Sequence, residues 1–237
     1  MSVTSGRLEV ALFAVGFAMS GLVLLALLWS GQGTYEDIAR SNGVTGTTFL
    51  VHGSNGDAET SVDLRTMAET HAQWATYVTG GTNDPPALFG GRSLFTAEEY
   101  SHMADVRRVF DGAKILIPAG FFVMAIRLQR ARTRSVEAML QLVRDGAVAA
   151  GLAVTAIGLV AALGFEQAFL LFHQVFFPQG NFLFDPATSN LVRLYPDWYW
   201  QGITFRIGLS FIAVAVVLAV AASIGLRRAR STRLATA

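Results

Sequence analysis

Cysteine is absent from the chain, which excludes disulfides, a thiol nucleophile and the lipidated cysteine of a lipoprotein. Charge is scarce too: 15% of the 237 residues are charged, and 18 basic residues against 17 acidic ones leave a formal net charge of +1. That balance makes no case for nucleic acid as a partner. Several catalytic signatures are also missing. The chain contains no G-x-S-x-G elbow, no H-E-x-x-H zinc helix and no P-loop, and hydrolase, protease and nucleotide-driven readings weaken accordingly. Two histidines with Asp105 or Asp185 could in principle hold a metal. No ligand spacing demands one, however, so neither a metal nor a cofactor is expected.

What the chain has in abundance is apolar residues, 52% of the total. They gather in four blocks, Leu8 to Trp29, Ala113 to Ile126, Ala147 to Phe172 and Ile207 to Leu226. Three blocks reach the roughly 20 residues that cross a bilayer, and the second, at about 14, is shorter. Arginine placement argues that it crosses as well. With four spans, Arg7, the stretch RLQRARTR (127–134) and the tail RRARSTR (227–233) all lie on one side, as the positive-inside rule expects. The expectation is therefore an all-α polytopic membrane protein, a single membrane domain over 1–237 with spans at about 8–30, 111–128, 146–172 and 205–226. Both termini are expected to be cytoplasmic, and the first block is read as an uncleaved anchor because it is followed by further spans and lacks an A-x-A pattern. The basic inner ends suit anionic membrane lipids.

Between the first two spans lies a segment rich in Gly, Thr, Asn and Asp, too long for a connector. It is expected to form a small extracytoplasmic α+β cap over residues 31–96. In GTTFLVHGSNGDAETSVDL (46–64), two β-favouring runs flank the turn signal Ser54-Asn55-Gly56-Asp57, which indicates a hairpin. Asp63 is a helix N-cap candidate. After it, Leu64, Met67, His71, Trp74 and Val78 recur at helical spacing until Gly80-Gly81. Thr96 and Glu99 stand at capping-box spacing and announce a second helix, which Gly112 and Pro118 are placed to bend. The stretch 173–204 is expected to be an outer re-entrant or interfacial loop.

Two histidines stand out by their neighbours. His102 has Glu99 and Glu98 before it and Asp105 three residues on, at spacings that share a helical face, where a carboxylate can orient an imidazole and raise its basicity. This favours His102 as a base. His173 lies in FHQVFFPQGNFLFDP (172–186). Seven residues separate it from Glu166, so the two share a helix face, and Asn181 and Asp185 follow in the same stretch. Asn181, or a backbone N–H, could stabilise an oxyanion. Each residue also has a plainer reading: Glu166 as a partner for Arg206 or Lys114, Thr96 and Glu99 as a cap, and Phe176, Phe177, Phe182, Phe184, Trp198, Tyr199 and Trp200 as an interfacial belt. His52 and His71 are read as structural hydrogen-bonding residues.

Two stretches together, EEYSHMADVRRVF (98–110) and FHQVFFPQGNFLFDPATSNLVRLYPDWYW (172–200), resemble the signatures of a family of four-span bacterial membrane proteins, the lipoprotein intramolecular transacylases. Span order is similar over nearly the whole chain, whereas the cap matches no motif. Three positions depart from the usual pattern: Phe182 in place of Trp, Ser189 in place of Asp, and Asp197 in place of Glu. They bear on substrate preference more than on chemistry. The resemblance implies an acyltransferase that moves the sn-2 acyl chain of a diacylglyceryl-modified lipoprotein onto the α-amine of its N-terminal cysteine. The family's two functional histidines fall on His102 and His173, with Asp105, Glu99, Glu166, Asn181 and Asp185 as supporting residues. It also implies a site at the outer face of the bacterial cytoplasmic membrane. Such chemistry needs no protein nucleophile, because the substrate brings its own amine. Rival readings are a non-enzymatic lipid-binding or assembly protein and a metal-dependent lipid hydrolase. Oligomeric state is not legible in the sequence.

Overall fold

The computed structural model describes residues 3–51, 58–86 and 93–235. Along the chain these form α1 (Val3–Leu28), α2 (Gln32–Ser41), β1 (Gly46–Val51), β2 (Ala58–Asp63), α3 (Leu64–Val78), α4 (Ala97–Lys114), α5 (Leu116–Arg132), α6 (Val136–Leu163), α7 (Phe165–Phe176), α8 (Asn190–Leu194) and α9 (Asp197–Ala235). Among the described residues the regular structure is thus helical apart from one two-stranded sheet. Among the described residues four helices are long and apolar enough to cross a membrane: Gly6–Leu28, Ala97–Arg132, Val136–Leu163 and Asp197–Ser231. The second runs through α4 and α5, which meet at Ile115, three residues before Pro118. Proline lacks the N–H that would bond the carbonyl four residues back, which accounts for the break at that point.

The chain divides into two compact units. The first comprises residues 1–26, 113–163 and 206–237 and contains the apolar lengths of the four helices. Its core is built from Phe13, Phe17, Met124, Leu142, Ala147, Ala150, Phe211 and Ala215. Small residues bring the backbones together. A Cβ on Gly120 would meet the Gly16 carbonyl oxygen at 2.5 Å, and one on Gly146 would meet the Phe13 ring at 2.3 Å, so α1 packs against α5 and α6 where side chains vanish. Glu9 is paired with Arg127 at 3.3 Å.

The second unit, residues 27–112 and 164–205, carries the polar segments. β1 and β2 pair antiparallel with Gly46 opposite Asp63 and Val51 opposite Ala58. This is the expected hairpin, although its turn, Ser54 to Asp57, and His52 lie outside the described residues. Asp63 caps α3 by accepting from Thr66 N. Leu64, Met67, His71, Trp74 and Val78 are all buried on one face, and Gly80 leaves the helix at φ +81°.

One expected element is corrected. The run at about 146–172, read as a single span, is two helices: α6 ends at Leu163 and α7 begins at Phe165. Between them Gly164 stands at φ −139°, ψ 57°, outside the helical region. Glycine weakens a helix interior, and Glu166 in the first turn of α7 favours a new N-terminus there.

Candidate functional site

The chemistry-bearing residues of the second unit meet where α4, α7 and the 177–189 loop come together. The capping box at the start of α4 is closed: Glu99 N–H donates to Thr96 Oγ1 at 3.2 Å, and Thr96 N–H donates to Glu99 Oε2 at 2.8 Å. Glu99 does more than cap. Its second oxygen accepts from Ser189 Oγ at 2.6 Å and from Leu191 N at 2.7 Å, and the residue is 1% exposed. A buried carboxylate thus satisfied by donors from two segments ties α4 to the N-terminus of α8. The neighbouring Asn190, fully buried, behaves as a strand partner for β1. Its side chain accepts from Leu50 N at 2.8 Å and donates to Leu50 O at 2.6 Å.

One turn further along α4, His102 is 6% exposed and Asp105 likewise 6%. The Asp105 carboxylate accepts from Gln179 Nε2 at 2.5 Å and from Asn181 Nδ2 at 2.7 Å through Oδ2, and it is ion-paired with Arg108. Gly180, at φ +79°, takes a conformation that costs other residues and lets the loop present Gln179 and Asn181 to the same oxygen. Sequence reasoning missed Gln179 and Arg108. The only available signal was the turn-forming Pro178-Gln179-Gly180-Asn181, which gives no clue to its partner.

His173 comes from the last turn of α7 and is 7% exposed. Its Nδ1 lies 2.8 Å from Phe169 O. A carbonyl only accepts, so Nδ1 carries the proton and Nε2 the lone pair. The His102 and His173 ring centroids are 6.1 Å apart with 21° between planes. Aromatic rings wall the pair. Phe177 lies 4.8 Å from His102 and 5.4 Å from His173, Phe184 is 5.6 Å from His102, and Phe169 and Phe182 are 4.1 and 5.2 Å from His173. Phe177 at 2% exposure and Tyr199 at 6% are therefore core residues of this unit, not members of an interfacial belt.

These surroundings disfavour imidazolium. His102 is enclosed by the rings of Phe177 and Phe184 and by His173, an apolar setting that penalises the charged form. The His173 pKa is lowered by burial, with the Phe169 carbonyl opposing. The expectation that carboxylates raise the basicity of His102 is thus corrected: Asp105 faces Gln179, Asn181 and Arg108, while Glu99 is occupied with Thr96, Ser189 and Leu191.

The remaining expected residues stand apart in role. Asn181 donates to Asp105, which turns its N–H group toward that carboxylate and away from an oxyanion role. Asp185 is exposed, accepting Ala187 N at 2.9 Å in a turn. Glu166 is exposed at the start of α7. His71 is a satisfied core histidine: Nε2–H donates to Ser30 O at 3.0 Å, Nδ1 accepts from Tyr195 O–H at 3.1 Å, and the ring stacks on Tyr35 at 4.6 Å. Among the described residues no three His, Asp or Glu side chains converge as metal ligands.

Comparison with known proteins adds to this geometry. The family model described as lipoprotein intramolecular transacylase Lit matches residues 47–200. Among solved structures, the membrane-integral lipoprotein intramolecular transacylase Lit from Bacillus cereus is 15% identical, with 97% of this chain and 100% of that chain covered at a TM-score of 0.70. Forms of that protein with a histidine changed to arginine or to alanine are each 16% identical at a TM-score of 0.66. They cover 97% of this chain and 95% of that one, and 96% of this chain and 96% of that one, respectively. At such identities the structural likeness carries the fold. No curated protein matches the chain.

Proposed function

The chain belongs to the lipoprotein intramolecular transacylase family and is a multi-pass membrane acyltransferase; from that premise we propose that it moves the sn-2 acyl chain of a diacylglyceryl-lipoprotein to the α-amine of the N-terminal cysteine, with His102 and His173 handling the proton. The observation that carries this reading is the pair of buried imidazoles 6.1 Å apart within a wall of rings. Rings this close bring both imidazoles to the headgroup of one bound substrate, where each can exchange a proton with it.

The amine lone pair attacks the sn-2 ester carbonyl carbon, and the tetrahedral adduct then breaks its bond to the glycerol oxygen. An amide forms and a glycerol hydroxyl is released. The proton lost by the amine is the proton the glycerol oxygen gains, so a relay through the imidazoles balances the step. His173 takes the amine proton at Nε2, because the Phe169 carbonyl on Nδ1 stabilises the imidazolium that results. His102, more strongly held neutral, receives that proton from His173 on its own free ring nitrogen and releases it to the leaving oxygen, so both imidazoles end the cycle as they began. This reverses the preference for His102 as base drawn from its carboxylate neighbours. The aromatic wall suits acyl chains and keeps water, the competing nucleophile, from the ester. Ester to amide is downhill, and holding amine and ester together replaces a large entropic cost.

The substrate partner is then a diacylglyceryl-modified lipoprotein in the bacterial cytoplasmic membrane, met at the outer face, with both termini cytoplasmic. Support comes from the arginine asymmetry of the sequence. The chemistry is tested in proteoliposomes with a diacylglyceryl lipopeptide. His173→Gln and His102→Gln each keep a polar side chain but cannot relay a proton near neutral pH, and each should lose about 10²-fold or more in rate while melting like the parent. Near-parental turnover by either variant would overturn the assignment.

A further inference from the structure

We propose that Asn181 is a positioning residue that fixes the tautomer of His102: anchored to Asp105 through its amide nitrogen, it turns its amide oxygen toward His102 and keeps the imidazole proton on Nδ1, leaving Nε2 as the lone pair. The tautomer claim stands on geometry; its catalytic consequence rests on the acyl-transfer reading.

The orientation of Asn181 follows from its partner. An ionised carboxylate only accepts, and Asp105 Oδ2 lies 2.7 Å from Asn181 Nδ2, so Oδ1 points the other way. Gln179 and Arg108 hold Asp105 in place. Asn181 Oδ1 and His102 Nδ1 are both buried, and both lack a hydrogen bond of good geometry. Asn181 nevertheless lies within side-chain hydrogen-bonding reach of the imidazole. An amide oxygen only accepts. If the proton of neutral His102 sat on Nε2, two lone pairs would face each other in a buried space; with the proton on Nδ1 a short approach satisfies both atoms. His173 is set in the same way by a different acceptor, Phe169 O. Both imidazoles then have Nδ1–H tied to the protein and Nε2 free for the reaction.

The groups that face His102 are His173 and Phe177 from α7 and its end, Phe184 and Asn181 from the loop, and Asp105 with Arg108 on its own helix. None of the others offers Nδ1 an acceptor among the bonds described above.

The test is ¹⁵N NMR of the histidine-labelled full chain in lipid nanodiscs, where the ring nitrogen shifts report the tautomer, with His102→Gln identifying the resonance. At neutral pH the parent should show His102 protonated on Nδ1. Asn181→Leu should move the proton to Nε2 and lower kcat at least tenfold with little change in KM. Asp105→Asn, which can donate to the Asn181 oxygen and turn the amide over, should produce the same tautomer shift with Asn181 intact. Asn181→Asp should keep the Nδ1–H form and move the acid limb of the pH profile upward. A parent already protonated on Nε2, or a tautomer indifferent to both Asn181→Leu and Asp105→Asn, overturns the proposal. The His71 resonance and the melting temperature report whether each variant is folded. A parent with the Nδ1–H tautomer but no acyl transfer would sink the functional reading and leave this one standing.

Discussion

His102 and His173 lie among rings, where burial penalises the imidazolium form, and burial pushes His173 below the ordinary imidazole pKa. Both are therefore neutral at pH 7, the state in which one can accept a proton. The sign of the pH dependence follows. On the acid side, kcat/KM falls as the substrate amine, of pKa about 8, is increasingly protonated, and a further loss through the imidazoles sets in only below pH 6.5. A profile of kcat/KM measured from pH 5 to 9 should show that second limb below 6.5; an enzyme-borne limb at or above 6.5 would contradict the buried, neutral pair. His71 is held to about 4 by burial as well, but there the consequence is stability. Between pH 6.5 and 4 its unfolded form binds more protons than its folded form, so stability present above 6.5 is lost as the pH falls through that window. The sequence singled out both histidines that the candidate site brings together, though partly on neighbours that the structure turns elsewhere. Their carboxylate neighbours singled out His102, yet those side chains turn to the loop and to α8. No local spacing could reveal partners such as Ser189 for Glu99 or Asn181 for Asp105, which are 90 and 76 positions away.

At the scale of elements, what local chemistry dictates was readable and what depends on distant packing was not. Asp63 and Thr96 cap as their spacing implies, because a cap needs only the next turn of its own chain. The buried face of α3 follows from periodicity. Pro118 interrupts its helix near the expected place. By contrast, the division at Gly164 was hidden inside an apolar run, since hydropathy measures greasiness and not direction. α8, only five residues long, has no periodicity to detect. It exists because Ser189 caps it by accepting from Val192 N, because Asn190 substitutes for a strand beside Leu50, and because Arg193 donates to Thr48 O at 2.9 Å. Two of the three departures from the family pattern fall at this site: Ser189 donates to Glu99, and Phe182 forms part of the wall beside His173. Phe182 is therefore placed to shape what the site accepts, whereas Ser189 helps to tie α4 to α8.

For the whole molecule, four apolar helices and the family assignment make a multi-pass membrane protein, while its orientation rests on arginines. Thr133, in the loop after α5, is expected inside. Because the chain has no cysteine, Thr133→Cys is a clean probe: a membrane-impermeant maleimide should leave it unlabelled in intact cells, and labelling from outside would invert the topology. The central claim is the movement of one acyl chain within one molecule. It is tested most directly by mass spectrometry of a lipopeptide whose sn-2 chain alone carries an isotopic label, incubated with the purified protein in proteoliposomes. The account predicts an N-terminal peptide of unchanged total mass whose fragments place the labelled chain in an amide on the cysteine nitrogen, with a free hydroxyl at sn-2. Labelled fatty acid released to water, or a peptide whose label stays in the ester, would contradict it.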